Sequence, residues 1–341
     1  MKTPAPRYVL PRYVLPPFVL PGVAFLMLAA AAVGSLFLGR VNISPAELWA
    51  GIVSPHASLA GLVVTELRLP RAVLAILVGA SLGLSGAVLQ GLLRNPLAEP
   101  GLLGVSNGAA LGAVFSIYFG LEHHFGLATP LLGMAGAIGA GALTFAFGRG
   151  STLTLILAGA AVCSLMSAFL ALALNFAPSP YAAYEMSVWM LGSLAERSWD
   201  HVLLAAPFIF AGIAILATMG RAVDALSLGE VQARSLGIHL DRTRMLALLG
   251  VGLAVGAATS VTGAVGFIGL VAPHLVRPFV GHQPSRILLP SALLGAVLLL
   301  LADIGTRVIH TNTELRLGAI TSLVGAPFFF WLVVRLRKLA P

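Results

Sequence analysis

The sequence predicts an all-α membrane protein with ten transmembrane helices in each subunit. Hydrophobic residues make up 58% of the 341-residue chain and charged residues only 9%, whereas about 25% of a typical soluble domain is charged. The mean hydropathy is +0.98. These values leave too little polar surface for a soluble enzyme or a disordered chain. The apolar runs are also too long and continuous for the alternating strands of an outer-membrane barrel.

Each predicted span is an apolar run close to the roughly 20 residues that cross a bilayer as a helix. The ten spans are 17–39, 70–93, 101–120, 130–148, 152–175, 202–220, 243–262, 265–281, 287–306 and 315–334. Because no long polar segment separates them, residues 17–341 are expected to form a single transmembrane domain.

The first residues, 1–16, are expected to form a flexible cytoplasmic tail. They are rich in proline and repeat Pro-Arg-Tyr-Val-Leu twice, a low-complexity composition that does not favour packing. A signal peptide is the alternative interpretation. The apolar run that follows extends to Leu38, which is longer than the roughly 7–15 apolar residues of a signal peptide and favours a first membrane span.

The distribution of basic residues predicts the orientation. With the N-terminus in the cytoplasm, 14 lysines and arginines lie inside and 6 lie outside, as the positive-inside rule requires. Ten spans then return the C-terminus to the cytoplasm. The net charge of +8 reflects this bias, and because the basic residues are scattered at helix ends they do not indicate binding to nucleic acid.

Glycine pairs at four-residue spacing predict close contacts between helices. Small residues at this spacing let two backbones approach each other inside a bilayer, where apolar side chains gain nothing by leaving lipid. The pairs are Gly79 and Gly83, Gly108 and Gly112, and Gly252 and Gly256. Chance occurrence in a glycine-rich chain is the alternative for each of them.

Two segments of the chain resemble each other. Residues 85–96 and 262–273 both have Gly-Ala-Val near the start, a leucine at the ninth position and a proline at the last. In the predicted topology, spans 2 and 7 cross the membrane in opposite directions. The similarity therefore indicates an inverted repeat of spans 2–5 and 7–10, a feature of alternating-access transporters, with coincidence as the alternative.

Two polar interruptions stand out between the spans. Segment 94–101 contains two prolines and a glycine, which end the neighbouring helices and predict a short, stiff turn. Segment 221–244 is the longest predicted cytoplasmic loop, in which Leu228, Val231 and Leu236 form a short amphipathic pattern. A pair of short helices there would present apolar side chains to a soluble partner. A helix lying on lipid headgroups is the alternative.

The residue inventory predicts no nucleotide, metal or catalytic site in the chain itself. Lys2 and Lys338 are its two lysines, and neither lies in a phosphate-binding loop motif, so another subunit would have to bind any ATP that drives it. Cys163 is the single cysteine, which excludes a disulfide framework. His123 and His124 are adjacent and lack the spacing of a zinc-binding pair.

Four motifs together resemble the permease family of iron-chelate and cobalamin ABC importers. They are residues 67–71, 95–106, 265–277 and 301–304, and they follow the family's order between about residues 40 and 335. The resemblance implies a type II importer permease, a transport subunit rather than an enzyme, in the bacterial inner membrane. It also implies a homodimer with a central path, two ABC ATPase subunits that bind ATP and Mg²⁺ inside, and a periplasmic substrate-binding protein outside.

The resemblance further implies roles for individual residues. The two cytoplasmic gates are expected at Asn95, Pro96, Leu97, Ala98, Ser151, Thr152, Leu153 and Thr154. In the second gate, Leu153 and Thr154 depart from the commoner polar pattern. Coupling to the ATPase is expected at Leu228, Gly229, Glu230, Ala233, Arg234, Leu236 and Gly237. Docking of the binding protein is expected at Arg68, Arg71 and Arg307, with headgroup anchoring as the alternative for Arg68 and Arg71.

The segment between spans 5 and 6 bears on the cargo. Its Trp-x-x-Gly-Ser-Leu-Ala motif at 189–195, followed by Trp199, resembles the haem-transporting branch and favours haem. A flat porphyrin suits aromatic and methionine surfaces, so the candidates to line the substrate path are Tyr184, Met186, Trp189 and Met190. Siderophore permeases carry similar motifs, so a siderophore or cobalamin is the alternative cargo. The same side chains would also suit an interfacial aromatic belt.

An ion-coupled secondary transporter is the competing class of function. Such a protein needs charged residues at mid-membrane on interrupted helices, and the predicted spans contain almost none. Two acidic residues, Asp303 and Glu314, lie near the outer ends of spans 9 and 10, where pairing with Arg307 or Arg316 is expected.

Overall fold

The computed structural model describes residues 15–39, 43–54, 58–309 and 315–339, with side chains described as far as residue 334. Most of the predicted tail at 1–16 and the predicted partner Glu314 lie outside these residues. The described chain is all-α and contains no strand. Its helices are α1 (Val19–Phe37), α2 (Pro45–Val53), α3 (Leu59–Leu62), α4 (Leu69–Leu92), α5 (Val105–Tyr118), α6 (Leu121–His124), α7 (Ala128–Phe147), α8 (Thr152–Asn175), α9 (Pro180–Met190), α10 (Trp199–Ala217), α11 (Gly220–Ser227), α12 (Glu230–Ser235), α13 (Leu240–Thr262), α14 (Ile268–Val276), α15 (Pro284–Val308) and α16 (Leu317–Leu339).

Every one of the ten predicted spans contains a helix. Within the described residues, eight helices are long and apolar enough to cross a membrane by themselves. The other two spans hold α5, preceded by a 3₁₀ turn at Pro100–Leu103, and α14, followed by a 3₁₀ turn at Arg277–Phe279. The prediction of a full-length helix over 265–281 is too long: the 9 residues of α14 extend about 14 Å, roughly half of a bilayer core.

The start of α14 is set by backbone conformation. Gly263 ends α13 with a φ of +73°, and Phe267 has a φ of +68° immediately before α14. A left-handed residue interrupts the hydrogen-bond ladder of a right-handed helix, so residues between these two positions cannot continue either helix. Hydropathy does not register this break, because the intervening residues are as apolar as the helices.

Helices α4 and α13 lie at the centre of the molecule. In each, 78% of the most apolar 18-residue stretch is buried. Helix α4 packs against α15, α14, α10 and α13, while α13 also packs against α10 and α7. In contrast, the corresponding stretches of α8 and α16 are only 28% and 22% buried. These two helices therefore carry wide apolar faces that no other described part of the chain covers.

The order of the helices supports the predicted internal repeat. Spans 2–5 comprise a long, a short and two long helices (α4, α5, α7, α8), and spans 7–10 repeat that order (α13, α14, α15, α16). The packing repeats as well, because α4 packs on α15 as α13 packs on α7. However, the two similar sequence segments, 85–96 and 262–273, do not occupy equivalent positions in this structural repeat. Residues 85–92 lie inside α4, whereas residues 263–267 form the break between α13 and α14.

Two of the three predicted glycine pairs mark close helix contacts. A Cβ atom at Gly79 or Gly83 would clash with backbone atoms of Gly295 or Ser291 in α15. Gly108 and Gly112 approach the backbone of α7 in the same way. At the third pair, Gly256 would clash with the Ala137 side chain, but Gly252 has open space around it. The spacing thus predicts close approach correctly where a second helix lies on that face.

We expect Gly83→Ala to destabilise the folded protein by about 1–3 kcal/mol, because the added methyl group overpacks the contact between α4 and α15. Gly252→Ala is the matched control, since its methyl group would meet no atom within 4 Å. Thermal unfolding of both purified variants in detergent provides the measurement. Equal unfolding midpoints for Gly83→Ala and the wild type would show that the helices do not approach as closely as described.

Candidate functional site

The predicted coupling loop folds as two short helices, α11 and α12, as its amphipathic pattern indicates. Gly229 joins them with a φ of +115°, and Gly237 follows α12 with a φ of +83°. Glycine adopts these conformations readily because it has no Cβ atom. The loop is anchored to the main hydrophobic core by Leu226 and Ala233, which are both buried.

The opposite side of this loop presents an apolar surface. Leu228, Val231 and Leu236 are 63%, 74% and 61% exposed, and we call these three residues the apolar knob. Large apolar side chains clustered at a polar loop are typical of a surface that another protein covers. Leu228 and Leu236 are thus exposed, whereas Ala233, which is also predicted to couple to the ATPase, is buried and anchors the loop.

Glu230 connects α12 to two other helices. Its Oε1 atom accepts hydrogen bonds from the Thr152 hydroxyl at 2.6 Å and from the Thr152 backbone N–H at 3.3 Å. The Nη2 atom of Arg244 lies 2.9 Å from the same oxygen, and its Nη1 atom donates to the Gly150 carbonyl at 3.2 Å. We call Glu230, Thr152 and Arg244 the Glu230 link. It joins the coupling loop to the first turns of α8 and α13.

The link favours the ionised form of Glu230. The Thr152 hydroxyl hydrogen bond and the charge of Arg244 lower the pKa of the Glu230 carboxyl, although partial burial opposes them. The carboxylate also lies at the N-terminus of α8, where the helix dipole favours a negative charge. Because the pKa is depressed in the folded state, this contribution to stability is present above the unfolded-state pKa and is lost as the pH falls through the folded-state pKa.

The two predicted gate segments are both rigid at the level of the backbone. In the first, the Leu97 N–H donates to Asn95 Oδ1 at 2.9 Å and the Ala98 N–H donates to the Asn95 carbonyl at 3.1 Å. Ala98 is fully buried, and Pro96 is half-buried. These bonds make the segment a tight turn, as its prolines predict.

The second gate segment begins α8. The Ser151 hydroxyl accepts the Thr154 N–H at 3.1 Å and caps the helix, while Leu153 and Thr154 are exposed. Thr152 belongs to the Glu230 link. The structure thus brings together one predicted gate residue and one predicted coupling residue, although the roles of both segments as gate and coupling element stay predictions.

A cluster of arginines gathers around Asp303 at the other end of the helix bundle. Asp303 is fully buried, and its carboxylate lies 2.7 Å from Arg71 Nε and 3.1 Å from Arg307 Nη2. The predicted pairing of Asp303 with Arg307 is confirmed. Arg307 also donates to the Ser35 carbonyl at 2.9 Å, and Arg68 donates to the Phe37 carbonyl at 3.0 Å. Together these bonds fix the C-terminal end of α1 to α4 and α15.

The three arginines predicted to dock the binding protein are largely enclosed. Arg68 and Arg307 are buried, and the Arg71 side chain is 13% exposed. Their charged groups are occupied by Asp303 and by the carbonyl groups that end α1. Docking by these residues stays a prediction, and the structure gives them an internal packing role that the sequence pattern did not indicate.

The predicted substrate-path residues lie on α9 but do not share one environment. Tyr184 is exposed, whereas Trp189 and Met190 are half-buried. Met186 is fully buried in a small core with Val114, Ile117 and Leu170. The expectation that Met186 contacts a passing substrate is therefore corrected, because in this structure α5 and α8 cover its side chain.

A polar cavity of about 290 Å³ adjoins the C-terminal half of α9. Trp189 forms part of its wall, together with Glu122, Glu185, Arg197, His201 and Arg316. Burial, followed by the adjacent Glu122 carboxyl, raises the pKa of Glu185 from 4.5 to about 7. Two neighbouring carboxyl groups favour sharing a proton, since ionising both would place like charges together.

Sequence reasoning missed the residues that join distant segments. In the sequence, Arg244 is one of the 14 basic residues on the predicted cytoplasmic side, and Glu185 lies beside the aromatic candidates for the substrate path. A local signal for Arg244 is that the coupling loop, 221–244, contains the carboxylate of Glu230 and ends at this arginine. No pattern indicated Thr152 as their partner, because it lies 78 residues before Glu230.

Comparisons with known proteins agree with this architecture. A profile described as the FecCD transport family matches residues 26–335. A vitamin B12 import system permease protein of Serratia proteamaculans is 39% identical over 321 residues, covering 92% of this chain and 92% of the relative. The hemin transport system permease protein of Yersinia pestis is 35% identical over 326 residues, covering 93% of this chain and 96% of the relative.

A solved structure is similar to this chain over almost the whole length of both. It is described as an inward-facing conformation of a metal-chelate type ABC transporter, and it matches with a TM-score of 0.83 and 32% identity, covering 94% of this chain and all of that one. These matches confirm the resemblance that the four sequence motifs predict, and they confirm a multi-pass, all-α permease fold.

We expect Asp303→Asn to destabilise the folded protein by about 3–5 kcal/mol, because it leaves the guanidinium groups of Arg71 and Arg307 buried without a counter-charge. Asp200→Asn, at an exposed position of α10, is the control. Thermal unfolding in detergent distinguishes the two. An Asp303→Asn midpoint equal to that of the control would contradict the structural role of the cluster.

The raised pKa of Glu185 predicts a pH dependence. The folded protein holds a proton that the unfolded chain releases between pH 4.5 and about 7, so the free energy of unfolding should decrease as the pH rises through that interval. Glu185→Gln should remove this contribution, whereas Glu66→Gln, at an exposed position, should not. Unfolding measured from pH 4.5 to 8 tests this, and identical pH profiles for wild type and Glu185→Gln would refute it.

Proposed function

Because the chain belongs to the FecCD transport family, we propose that it is the permease subunit of an ATP-driven importer in the bacterial inner membrane. It moves an iron chelate from a periplasmic binding protein to the cytoplasm by alternating access. The observation that carries this proposal is the loop that bears the apolar knob. The knob is exposed, and Glu230 of the same loop is bonded to Thr152 at the start of α8.

Two ABC ATPase subunits, each binding ATP and Mg²⁺, are the partners that fit the knob. Burying Leu228, Val231 and Leu236 in an apolar groove would stabilise the contact by up to about 1.5–3 kcal/mol for each side chain. A movement of the ATPase would then displace α12. Because Glu230 is bonded to Thr152, the displacement passes directly to the first turn of α8.

The start of α8 is where the second gate segment lies, so this connection supports a role for Ser151–Thr154 in opening the path to the cytoplasm. The first gate segment, Asn95–Ala98, is a tight turn that a neighbouring helix could move as a unit. A rigid segment transmits a displacement more completely than a flexible one, which is the physical reason that tight turns suit a gate.

A homodimer with a central path is the assembly that we propose. The wide uncovered faces of α8 and α16 support it, because a second copy would cover one such face while lipid covers the other. The binding protein would dock at the end of the bundle opposite the apolar knob, which is the end that carries Arg71. Both termini would then lie in the cytoplasm.

Haem is the cargo that we favour, with a siderophore or cobalamin as the alternative. The motif at 189–195 and the aromatic side chains of Tyr184 and Trp189 support a flat aromatic cargo. The relatives include proteins described as hemin and vitamin B12 permeases, so their identities do not separate these cargoes.

Transport in proteoliposomes tests the proposed function. The chain would be reconstituted with its ATPase and binding protein, and uptake of haem, a ferric siderophore and cobalamin would be measured with ATP, without ATP and with vanadate. We expect ATP-dependent uptake that vanadate stops, with haem preferred. Preference for another chelate would change the assigned cargo and leave the proposal of an ATP-driven importer intact. Uptake driven by an ion gradient without ATP would contradict the importer and favour a secondary transporter.

Substitution of the apolar knob should separate the ATPase from the permease. Leu228→Asp or Leu236→Asp places a charge in a desolvated contact and should reduce co-purification of the ATPase by about tenfold or more, because a buried unpaired charge costs several kcal/mol. Ser235→Asp adds the same charge at an exposed polar position of α12 and serves as the control. Undiminished co-purification in both knob variants would rule out this docking site.

A further inference from the structure

A second polar cavity, of about 230 Å³, lies where the C-terminal end of α4 meets the end of α14 and the start of α15. We call it the basic cavity. Its polar wall consists of Gln90, Arg94, Ser227, Arg277 and His282. No aspartate or glutamate of the described chain lines it. The cavity therefore combines the permanent positive charges of Arg94 and Arg277 with the imidazole of His282.

Arg277 has a donor that the described chain leaves unused. Its Nη2 atom donates to Gln90 Oε1, but its Nε–H is buried and has no hydrogen-bond partner among the described residues. Neither Arg277 nor Arg94 forms an ion pair with a described carboxylate. Buried donors are almost always satisfied, so an acceptor from outside the described chain is expected beside this group.

A carboxylate on the same helix as Ser227 is bonded to residues outside the lining of the basic cavity. Asp224, on α11 beside the basic cavity, accepts the Ser285 N–H at 2.8 Å and a Gln283 side-chain N–H at 3.1 Å. These bonds turn its carboxylate toward the start of α15. Asp224 forms no ion pair with either arginine of the basic cavity.

Two basic residues that line this cavity have backbone conformations that residues other than glycine rarely adopt. Arg94 has a φ of +49° and His282 a φ of +62°, values at which a residue with a Cβ atom is strained and glycine is the usual choice. The Asn95 N–H bonds to the Gln90 carbonyl at 3.2 Å, which fixes the turn at Arg94. Both strained positions carry a side chain that lines the same cavity.

We propose that the basic cavity binds a phosphate group. Guanidinium groups match phosphate oxygens in a bidentate geometry, and basic pockets between helices at the cytoplasmic side of a membrane protein bind anionic headgroups. The volume of about 230 Å³ is more than seven times the roughly 30 Å³ that a water molecule occupies in the liquid, and so has room for phosphate. The source is either an anionic phospholipid or free inorganic phosphate.

The location gives this binding a consequence. Pro96 of the first gate segment and Ser227, next to the apolar knob, line the same cavity. A bound phosphate group would therefore contact both segments and restrain them relative to each other. The binding step itself does not depend on the proposed transport function, because it is measured on the purified chain without ATPase or cargo.

Titration of the full-length permease tests the proposal with two probes. Native mass spectrometry would follow binding of phosphatidylglycerol against phosphatidylcholine, and calorimetry would follow binding of inorganic phosphate. Arg277→Gln and Arg94→Gln are each expected to weaken the relevant probe by roughly fivefold, the effect of about 1 kcal/mol for each basic residue at a headgroup. Arg94 is exposed, so its variant also excludes loss of folding as the cause. Arg242→Gln, at an exposed position of α13, is the matched control and should bind like the wild type.

The pattern of losses identifies the source. A loss confined to phosphatidylglycerol assigns the basic cavity to an anionic lipid, and a loss confined to inorganic phosphate assigns it to the free ion. If neither Arg94→Gln nor Arg277→Gln weakens either probe relative to Arg242→Gln, the cavity does not bind phosphate and the proposal fails.

Discussion

Close contact between backbones along α4 is the constraint on which the rest of this structure depends. Within a bilayer, helices gain little by exchanging lipid contacts for apolar side-chain contacts, so stable packing requires that they approach closely. Gly79, Gly83 and Gly86 provide that approach to α15 and α14. Since α4 also packs against α10 and α13, its position fixes the core. The turn at Asn95–Ala98 and the segment before α4 are placed by this helix.

Charge is scarce in the chain, and the structure concentrates its effect at the two ends of the bundle. At one end, Asp303 holds Arg71 and Arg307 and thereby fixes α1. At the other end, Glu230 holds Thr152 and Arg244. Each of the two carboxylates lies within ion-pair or hydrogen-bond distance of more than one partner. The first cluster joins α1, α4 and α15, whereas the second joins the predicted coupling loop to α8 and α13.

These features give the proposed coupling a physical route. In that proposal the apolar knob would bind the ATPase, and the Glu230 link would connect the knob's loop to the first turn of α8. The basic cavity lies between the same coupling loop and the first gate turn. A ligand there would contact both segments.

The sequence by itself determined the class, the ten helical segments, the short paired helices of the coupling loop and the family. Hydropathy, turn residues and local motifs carry that information because each depends on neighbours along the chain. Only the tertiary structure decided that Met186 lies in a core, that Arg68 and Arg307 are buried, and that α14 is half the predicted length. Arg71 meets Asp303 across 232 positions and Thr152 meets Glu230 across 78. Such contacts depend on how helices pack, which no local pattern specifies, because apolar helices of equal hydropathy can pack in many arrangements until glycines and buried charges select one.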